Sequence, residues 1–310
     1  VIRAIARGYD PDLLIPHVVQ NKHGIVHMVQ SAESGDITYG GNVYDGRINV
    51  DMKINSNQLD RAYLLGILHP NPRRVLIVGL STGAWTKVIL GIPGVEVVDV
   101  VEINPAYLDL IRLYPQVASI LADPRVNIHI DDGRRWLRAN PQERYDLVFQ
   151  NTTWHWRAYT SMLLSVDYFR QLQGHLNKGG IIAANTTGSA DVFRTAAEVF
   201  PHVARYRKFA YMSEAPLLRR SDSESLLRKI LIDQEPAFPD ELFAPDRIGH
   251  YLLTTSLEPA EQLLSNTRAG AMARVITDQN LLTEFRHGHR PLYGWLDRIL
   301  PPAPGKQGTR

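Results

Sequence analysis

The chain has 310 residues, 44% apolar and 21% charged, the composition of a globular protein with a real buried core. A formal net charge of +2 without any long basic block gives no footing for nucleic-acid binding. The absence of cysteine excludes disulfides, zinc-thiolate sites and thiol nucleophiles and fits a reducing compartment, so a cytoplasmic setting is expected.

The chain opens on Val1 rather than Met, as a processed form or a piece of a longer protein would, which leaves open a membrane segment outside it. No signal-peptide pattern is present, and no apolar run approaches the roughly 18 residues of a membrane span. Residues 1–60 read as an N-terminal β-strand unit. HGIVHMV (23–29) and DITYGGNVYDGRINVDM (36–52) alternate apolar and polar positions, and Asp45-Gly46 is read as a hairpin turn because Gly accepts positive φ. NQLDRAYLLGILHP (57–70) has helical spacing, with Leu59, Tyr63 and Ile67 on one side and Pro70 as a stop.

From residue 73 the pattern changes. RRVLIVG (73–79), VEVVDVVEIN (95–104), RVNIHIDD (125–132), YDLVFQN (145–151) and GGIIAANTT (179–187) are short β-branched runs, most without the alternation of a half-exposed strand. Helix-like stretches separate them: TGAWTKVILG, PAYLDLIRLY, GRRWLRAN and TSMLLSVDYFRQLQGHL. Strand and helix repeated this way predict an α/β, doubly wound Rossmann-like domain over residues 61–300, a parallel sheet with helices on both faces. Further on, RYRKFAYM (205–212) and HYLLTTS (250–256) are read as strands. RRSDSESLLRK (219–229) is read as a loop entering a helix, and PAEQLLSNT (259–267) as a short helix. The stretch 276–300 mixes loop and helix. The Pro/Gly-rich residues 301–310 are expected to be a flexible tail.

The sharpest signal is VLIVGLSTGAW (75–85), a buried strand running through Gly79, Ser81, Thr82 and Gly83 into a helix. The glycines allow a tight turn and a close backbone approach to a ligand, and the helix start offers free N–H groups. VEVVDVVEINP then ends a second strand at Glu102, about 20 residues on, where a carboxylate can accept both hydroxyls of a ribose. IHIDDGRRW ends a third strand at Asp131-Asp132-Gly133, which places Asp132 to bond an adenine amino group. The loop is not GxGxxG, and no P-loop is present. Gly79-Leu-Ser81-Thr-Gly83 matches a hydrolase elbow formally, but the acids at the next two strand ends fit a nucleoside pocket better.

These residues resemble the spermidine synthase-like group of class I S-adenosylmethionine-dependent transferases, from about residue 36 to about 190. VYDGRIN (43–49) is similar to that family's Leu-Asp-Gly-x-x-Gln hairpin, and RAYLLGILHP to its Tyr-x-Glu-x-x-x-His-Pro helix, keeping Tyr63, His69 and Pro70. VLIVGLSTGA, VEINP, DPRVNIHIDDGRRWL, YDLVF and NKGGIIAANT occur in the family's order. The resemblance implies that Gly79, Ser81, Gly83, Glu102, Asp132 and Gly133 hold S-adenosylmethionine, its decarboxylated form or methylthioadenosine. It also implies an acceptor pocket that includes Tyr63, and a homodimer made through the N-terminal unit. No metal is expected. Four positions depart from the family. Its acid after the fourth strand is Asn151 and the acid three residues on is Trp154. Its Gly-loop aspartate is Thr82, and its helix glutamate is Leu65.

QNTTWHWRAYTSMLLS (150–165) contains no carboxylate. A dicationic diamine is costly to desolvate without a paired anion, and an amide cannot act as its base. His155 is the residue of that loop whose ordinary pKa suits base catalysis. Trp154 and Trp156 are expected as walls of an acceptor pocket, and Arg157 as a partner for a carboxylate or phosphate. His287-Gly-His289 is read as a solvated loop rather than a metal pair. The expectation is a transferase that binds S-adenosylmethionine or a relative and moves a methyl or aminoalkyl group to a small non-polyamine acceptor. The alternatives are an orthodox polyamine aminopropyltransferase, or a non-catalytic nucleoside-binding domain of a larger membrane-attached protein.

Overall fold

The structure is a computed structural model that describes residues 14–31, 34–41, 43–151 and 160–280. Four short strands come first: β1 (Val18–Asn21), β2 (Gly24–Val29), β3 (Ile37–Gly40) and β4 (Val43–Arg47). They form one antiparallel sheet in chain order. Its inner residues Val26 and Met28 join Ile48, Met52 and Leu59 in the same apolar core as the first helix, so this small sheet shares its core with the main domain. The reversal between β3 and β4 lies between the paired Gly40 and Val43, not at Asp45-Gly46, which sits inside β4. Gly41, at φ +57°, makes the turn. Gly40 must be glycine, because a Cβ there would collide with the Tyr107 hydroxyl.

Helix α1 (Asp60–Leu68) leads into the main sheet and is buried along its whole length, not only on the predicted stripe. It packs against strand β9 and against three helices, α2 (Ala84–Leu90), α8 (Ser223–Arg228) and α9 (Ile248–Thr254). The large sheet contains β5 (Arg74–Val78), β6 (Val97–Glu102), β7 (Val126–Ile130), β8 (Tyr145–Gln150) and β9 (Leu176–Asn185), all parallel, in the order β9-β8-β5-β6-β7. Val75, Ile77, Val98, Val100, Leu147 and Val148 are fully buried, as central strands covered on both faces require. The connections include α3 (Ala106–Ile111), α5 (Gly133–Ala139), α6 (Val166–Gln173) and α7 (Ala190–Ala197), with a one-turn helix α4 (Pro115–Ala118) after α3. The parallel strands put their carboxyl ends on one edge, and the order reverses between β5 and β8. That switch point is where ligands bind in such sheets.

The sheet is longer than a purely parallel reading allows. β10 (His202–Tyr206), β11 (Phe209–Ser213) and a two-residue strand (Glu258–Pro259) extend it antiparallel beyond β9. The run 205–212 is therefore a hairpin and not one strand. Tyr206 pairs with Phe209 and Arg207 takes φ +52° at the turn. Residues 250–256, expected as a strand, contribute instead to helix α9, which ends at Thr254. Leu252 is buried and the Thr254 hydroxyl is satisfied by the carbonyl of His250 at 2.8 Å, so a β-favouring threonine is tolerated on an exposed helical turn. The stretch 160–176 is likewise not one helix. A 3-10 turn (Thr160–Leu163) precedes α6, whose cap is Ser165, accepting from the Tyr168 amide at 3.2 Å. Leu164 and Phe169 reach the core, whereas Leu163 is only half-buried. The expected tail 301–310 and the His287/His289 pair lie outside the described residues.

Candidate functional site

A cavity of about 550 Å³ opens at the switch point, over the carboxyl ends of β5, β6, β7 and β8. Gly79, Ser81, Glu102, Asp132 and Gly133 all line it, so three strand ends converge as the sequence indicates. The turn after β5 is built from left-handed residues: Gly79 at φ +91°, Ser81 at φ +50° and Gly83 at φ +76°. Ser81 donates its hydroxyl to the carbonyl of Asp45, which ties the Gly loop to β4 of the small sheet and offsets its own backbone strain. Gly83 lies behind the lining, at the start of α2, where a Cβ would come within 2.7 Å of Ile120 Cδ1. Gly83→Ala is expected to cost about 2 kcal/mol through that contact and the positive φ, read as a lower urea midpoint at unchanged m-value. Thr82 is also buried behind the lining, with its Oγ1 accepting from the Ala84 amide at 3.3 Å.

Glu102 is a buried carboxylate on the cavity wall. Oε2 accepts from the Leu80 amide at 2.7 Å and Oε1 from the Asn104 amide at 2.8 Å. The Ser81 amide also reaches the carboxylate, and the carboxylate borders the cavity, where it can still accept from a hydroxyl. Burial pushes the carboxyl up to about 7, against the lowering effect of the Asn104, Leu80 and Ser81 amides; the nearby Asp45 charge raises it further. Asp132 is half-buried and caps α5, its Oδ1 accepting from the Arg135 amide at 2.9 Å.

The roof comes from the small sheet and from the far end of the described chain. His23 and Asp45 line the cavity, and Asn21 donates to Asn104 Oδ1 at 2.7 Å. Tyr107 donates its hydroxyl to Asp45. On the other side Arg134 donates through Nη1 and Nη2 to Asp278 at 2.7 and 2.6 Å, a bidentate pair. This guanidinium holds the Asp278 carboxyl below the usual range. Ser165 donates to the same carboxylate at 2.7 Å, so the 276–278 segment is fastened across the cavity mouth.

A second, smaller pocket of about 130 Å³ adjoins the first, and Asp45 and Asn151 border both. Tyr44, Asn57, Arg61, Asn185 and Lys208 contribute to it. Asn151, the first residue after β8, accepts from Asn185 Nδ2 at 2.9 Å. Thr160, where the described chain resumes, lines the large cavity too, so both ends of the 152–159 loop sit at the site. His155, Trp154, Trp156 and Arg157 themselves lie outside the described residues. Tyr63 does not belong to either pocket. It is fully buried and set edge-on to Phe238 at 4.8 Å, where burial raises its phenol far above the ordinary value. The tyrosine bordering the small pocket is Tyr44.

Sequence reasoning missed Asp45 as a wall residue, because Asp-Gly reads first as a turn. It also passed over Arg61, although a lone cation inside the apolar run RAYLLGIL is itself a signal. Asn185, Lys208 and Asp278 reach the site only through strand order and chain return, which local patterns do not contain.

Residues 62–209 match the family profile of the Spermine/spermidine synthase domain. A polyamine aminopropyltransferase of Thermococcus onnurineus is 30% identical over 170 residues, 52% of this chain and 60% of the relative. One of Agathobacter rectalis is 34% identical over 116 residues, 37% of this chain and 40% of the relative. The chain thus spans about half the length of these curated relatives, between 40% and 60%. In three dimensions the spermidine synthase of Thermotoga maritima superposes with a TM-score of 0.59 at 19% identity, over 73% of this chain and 81% of that one. A spermidine synthase in complex with the transition-state analogue AdoDATO gives 0.57 at 18% identity, with the same coverage of 73% and 81%. Among the described residues no helix is long and apolar enough to cross a membrane. Residues 62–209, with the Gly loop, Glu102 and Asp132 on one cavity, are thus similar to the Spermine/spermidine synthase domain, and the chain shares the fold of the spermidine synthases.

Proposed function

We propose that the chain is an aminopropyltransferase-type enzyme that takes decarboxylated S-adenosylmethionine and an amine acceptor and releases methylthioadenosine. The observation that carries this reading is the pair of adjoining cavities at the switch point, one of nucleoside size with Glu102 on its wall, the other small and polar, joined at Asp45 and Asn151. The family match and the names of the relatives support aminopropyl rather than methyl transfer. Those names also favour a polyamine acceptor over the non-polyamine acceptor expected from the sequence; the substitution of an amide at Asn151 speaks the other way.

In this reading the lone pairs of Glu102 that face the cavity accept the ribose hydroxyls, and Asp132 bonds the base edge. The carboxylate of Asp45 on its wall makes the large cavity favourable for a cationic sulfonium donor; those of Asp131 and Asp278 are already bridged, by Arg135 and Arg134. Asp45, on the boundary with the small pocket, takes up the proton that the amine loses. Isothermal titration with S-adenosylmethionine, its decarboxylated form and methylthioadenosine tests the reading, together with chromatographic detection of methylthioadenosine release in the presence of amines. Micromolar binding of the decarboxylated donor and amine-dependent release are expected. Failure of all three to bind at millimolar concentration overturns the nucleoside reading. Binding without release under any amine points to a non-catalytic domain, and tighter binding of the intact donor points to methyl transfer.

A further inference from the structure

The charges of the two cavities differ in sign. Five carboxylate residues border the large one, Asp45, Glu102, Asp131, Asp132 and Asp278, against His23, Arg134 and Arg138, with Arg134 already paired to Asp278. The small pocket carries Arg61 and Lys208, with Asp45 at its edge. Arg61 is buried, and its guanidinium lies over the rings of Trp85 and Phe209, 4.7 and 4.5 Å from their centroids. Nε donates to the Gln58 carbonyl at 2.9 Å and Nη2 to the Asn57 carbonyl at 3.1 Å.

No carboxylate forms an ion pair with Arg61 or Lys208 among the described residues. The charge of the neighbouring Asp60 favours the Arg61 guanidinium from a distance, but its hydrogen bonds go elsewhere, to Asn55 at 2.8 Å, the Tyr206 hydroxyl at 2.7 Å and Arg207 at 2.5 Å. Residues 152–159, which follow Asn151 in sequence, include no acid. A guanidinium this buried, held in place by aromatic faces and without a paired carboxylate, is costly unless a ligand brings the missing negative charge. A dicationic diamine does the opposite, adding positive charge beside two cations.

We propose that the small pocket binds an acceptor that carries a carboxylate at one end and a primary amine at the other, the carboxylate facing Arg61 and Lys208 and the amine facing the Asn151–Asp45 boundary. This deepens the aminopropyl-transfer reading and rests on it for the chemical step. A cavity of about 130 Å³ takes a short chain, in the range of a four-carbon ω-amino acid. The two cations also depress the pKa of an amine held near them, which favours the neutral nucleophile where no carboxylate replaces Asn151. In the step itself the amine nitrogen bonds to the aminopropyl carbon and the carbon–sulfur bond breaks. Its electron pair passes to sulfur, a neutral thioether departs, and the amine's proton goes to Asp45 and then to solvent.

The test titrates 4-aminobutanoate and 1,4-diaminobutane into the full chain by calorimetry, each with and without saturating methylthioadenosine. The wild-type protein is expected to bind the amino acid at least about tenfold more tightly than the diamine. Lys208→Glu, at an exposed position that does not threaten folding, is expected to reverse that preference. Equal or stronger binding of the diamine by the wild type, no binding of either ligand, or an unchanged preference in Lys208→Glu overturns the proposal. Failure of methylthioadenosine alone to bind sinks the nucleoside reading instead, and the titrations without it still decide the small pocket.

Discussion

Glu102→Gln is expected to weaken methylthioadenosine binding about 100-fold and to lower overall stability as well. Both oxygens of Glu102 accept backbone amides, from Leu80 and Asn104. An amide side chain must point its NH2 at one of these N–H groups, leaving a donor facing a donor in a buried site, and it loses the charge that strengthens a bond to a ribose hydroxyl. Each of these effects is worth about 1–3 kcal/mol. The wild-type protein should also show a pH signature. With the carboxyl raised to about 7 by burial, a shift from pH 8 to pH 6 protonates most of it and should weaken nucleoside binding about tenfold. The sign for folding is opposite. A carboxyl raised from its ordinary 4.5 contributes stability at low pH that is lost as pH rises through about 7, so the unliganded protein should melt higher at pH 5 than at pH 8. Glu102→Gln should flatten both profiles. Affinity by calorimetry and melting by circular dichroism at the two pH values read them, and an unchanged slope in the variant removes Glu102 from the ribose-binding role.

Much of this site was legible because its pieces are local. A β-branched run that ends in Gly79-Leu80-Ser81-Thr82-Gly83 needs left-handed backbone and a helix start, and both are present. Glu102 and Asp132 stand at the ends of the next two strands, so parallel topology alone brings them to one edge. What escaped depended on non-local pairing or on reading a residue by its commonest role. Asp45-Gly46 looks like a turn in isolation, but Gly40-Gly41 turns first and the register leaves Asp45 on the cavity wall. Tyr63 carried the family motif but points into a helix-packed core, since α1 is covered on every side. The strand reading of 250–256 rested on its threonines, whereas packing of Leu252 decided for a helix. The run 205–212 read as one strand rather than a hairpin, because both faces of β10 and β11 are largely buried and no alternation marks the turn. Arg61 and Lys208 lie 147 positions apart and meet only because β11 pairs with β9 beside α1.

Asn151→Asp should raise methylthioadenosine release with 1,4-diaminobutane by about 100-fold, at the lower end of what a positioned general base contributes. The substitution is nearly isosteric, and its orienting contact survives, because Asn185 Nδ2 donates at 2.9 Å to an oxygen that aspartate also possesses. The second oxygen replaces an NH2 group at the boundary of the two cavities, where it can pair with an ammonium and accept its proton. The new charge also compensates Arg61 and Lys208, the cations that oppose a diamine in the small pocket. For an acceptor that ends in a carboxylate the same change works in the other direction, since it fills part of the positive field that the carboxylate would use. The ratio of kcat/KM for the two acceptors should therefore move by more than either value alone. Steady-state release measured for both acceptors in both proteins gives four numbers that separate the causes. A rise with the diamine and a fall with the amino acid identify position 151 as the determinant of acceptor charge. If the diamine rate of the wild type is already high and Asn151→Asp leaves it unchanged, the amide is not what limits the reaction and Asp45 suffices as the base, so that its replacement by Asn should abolish release.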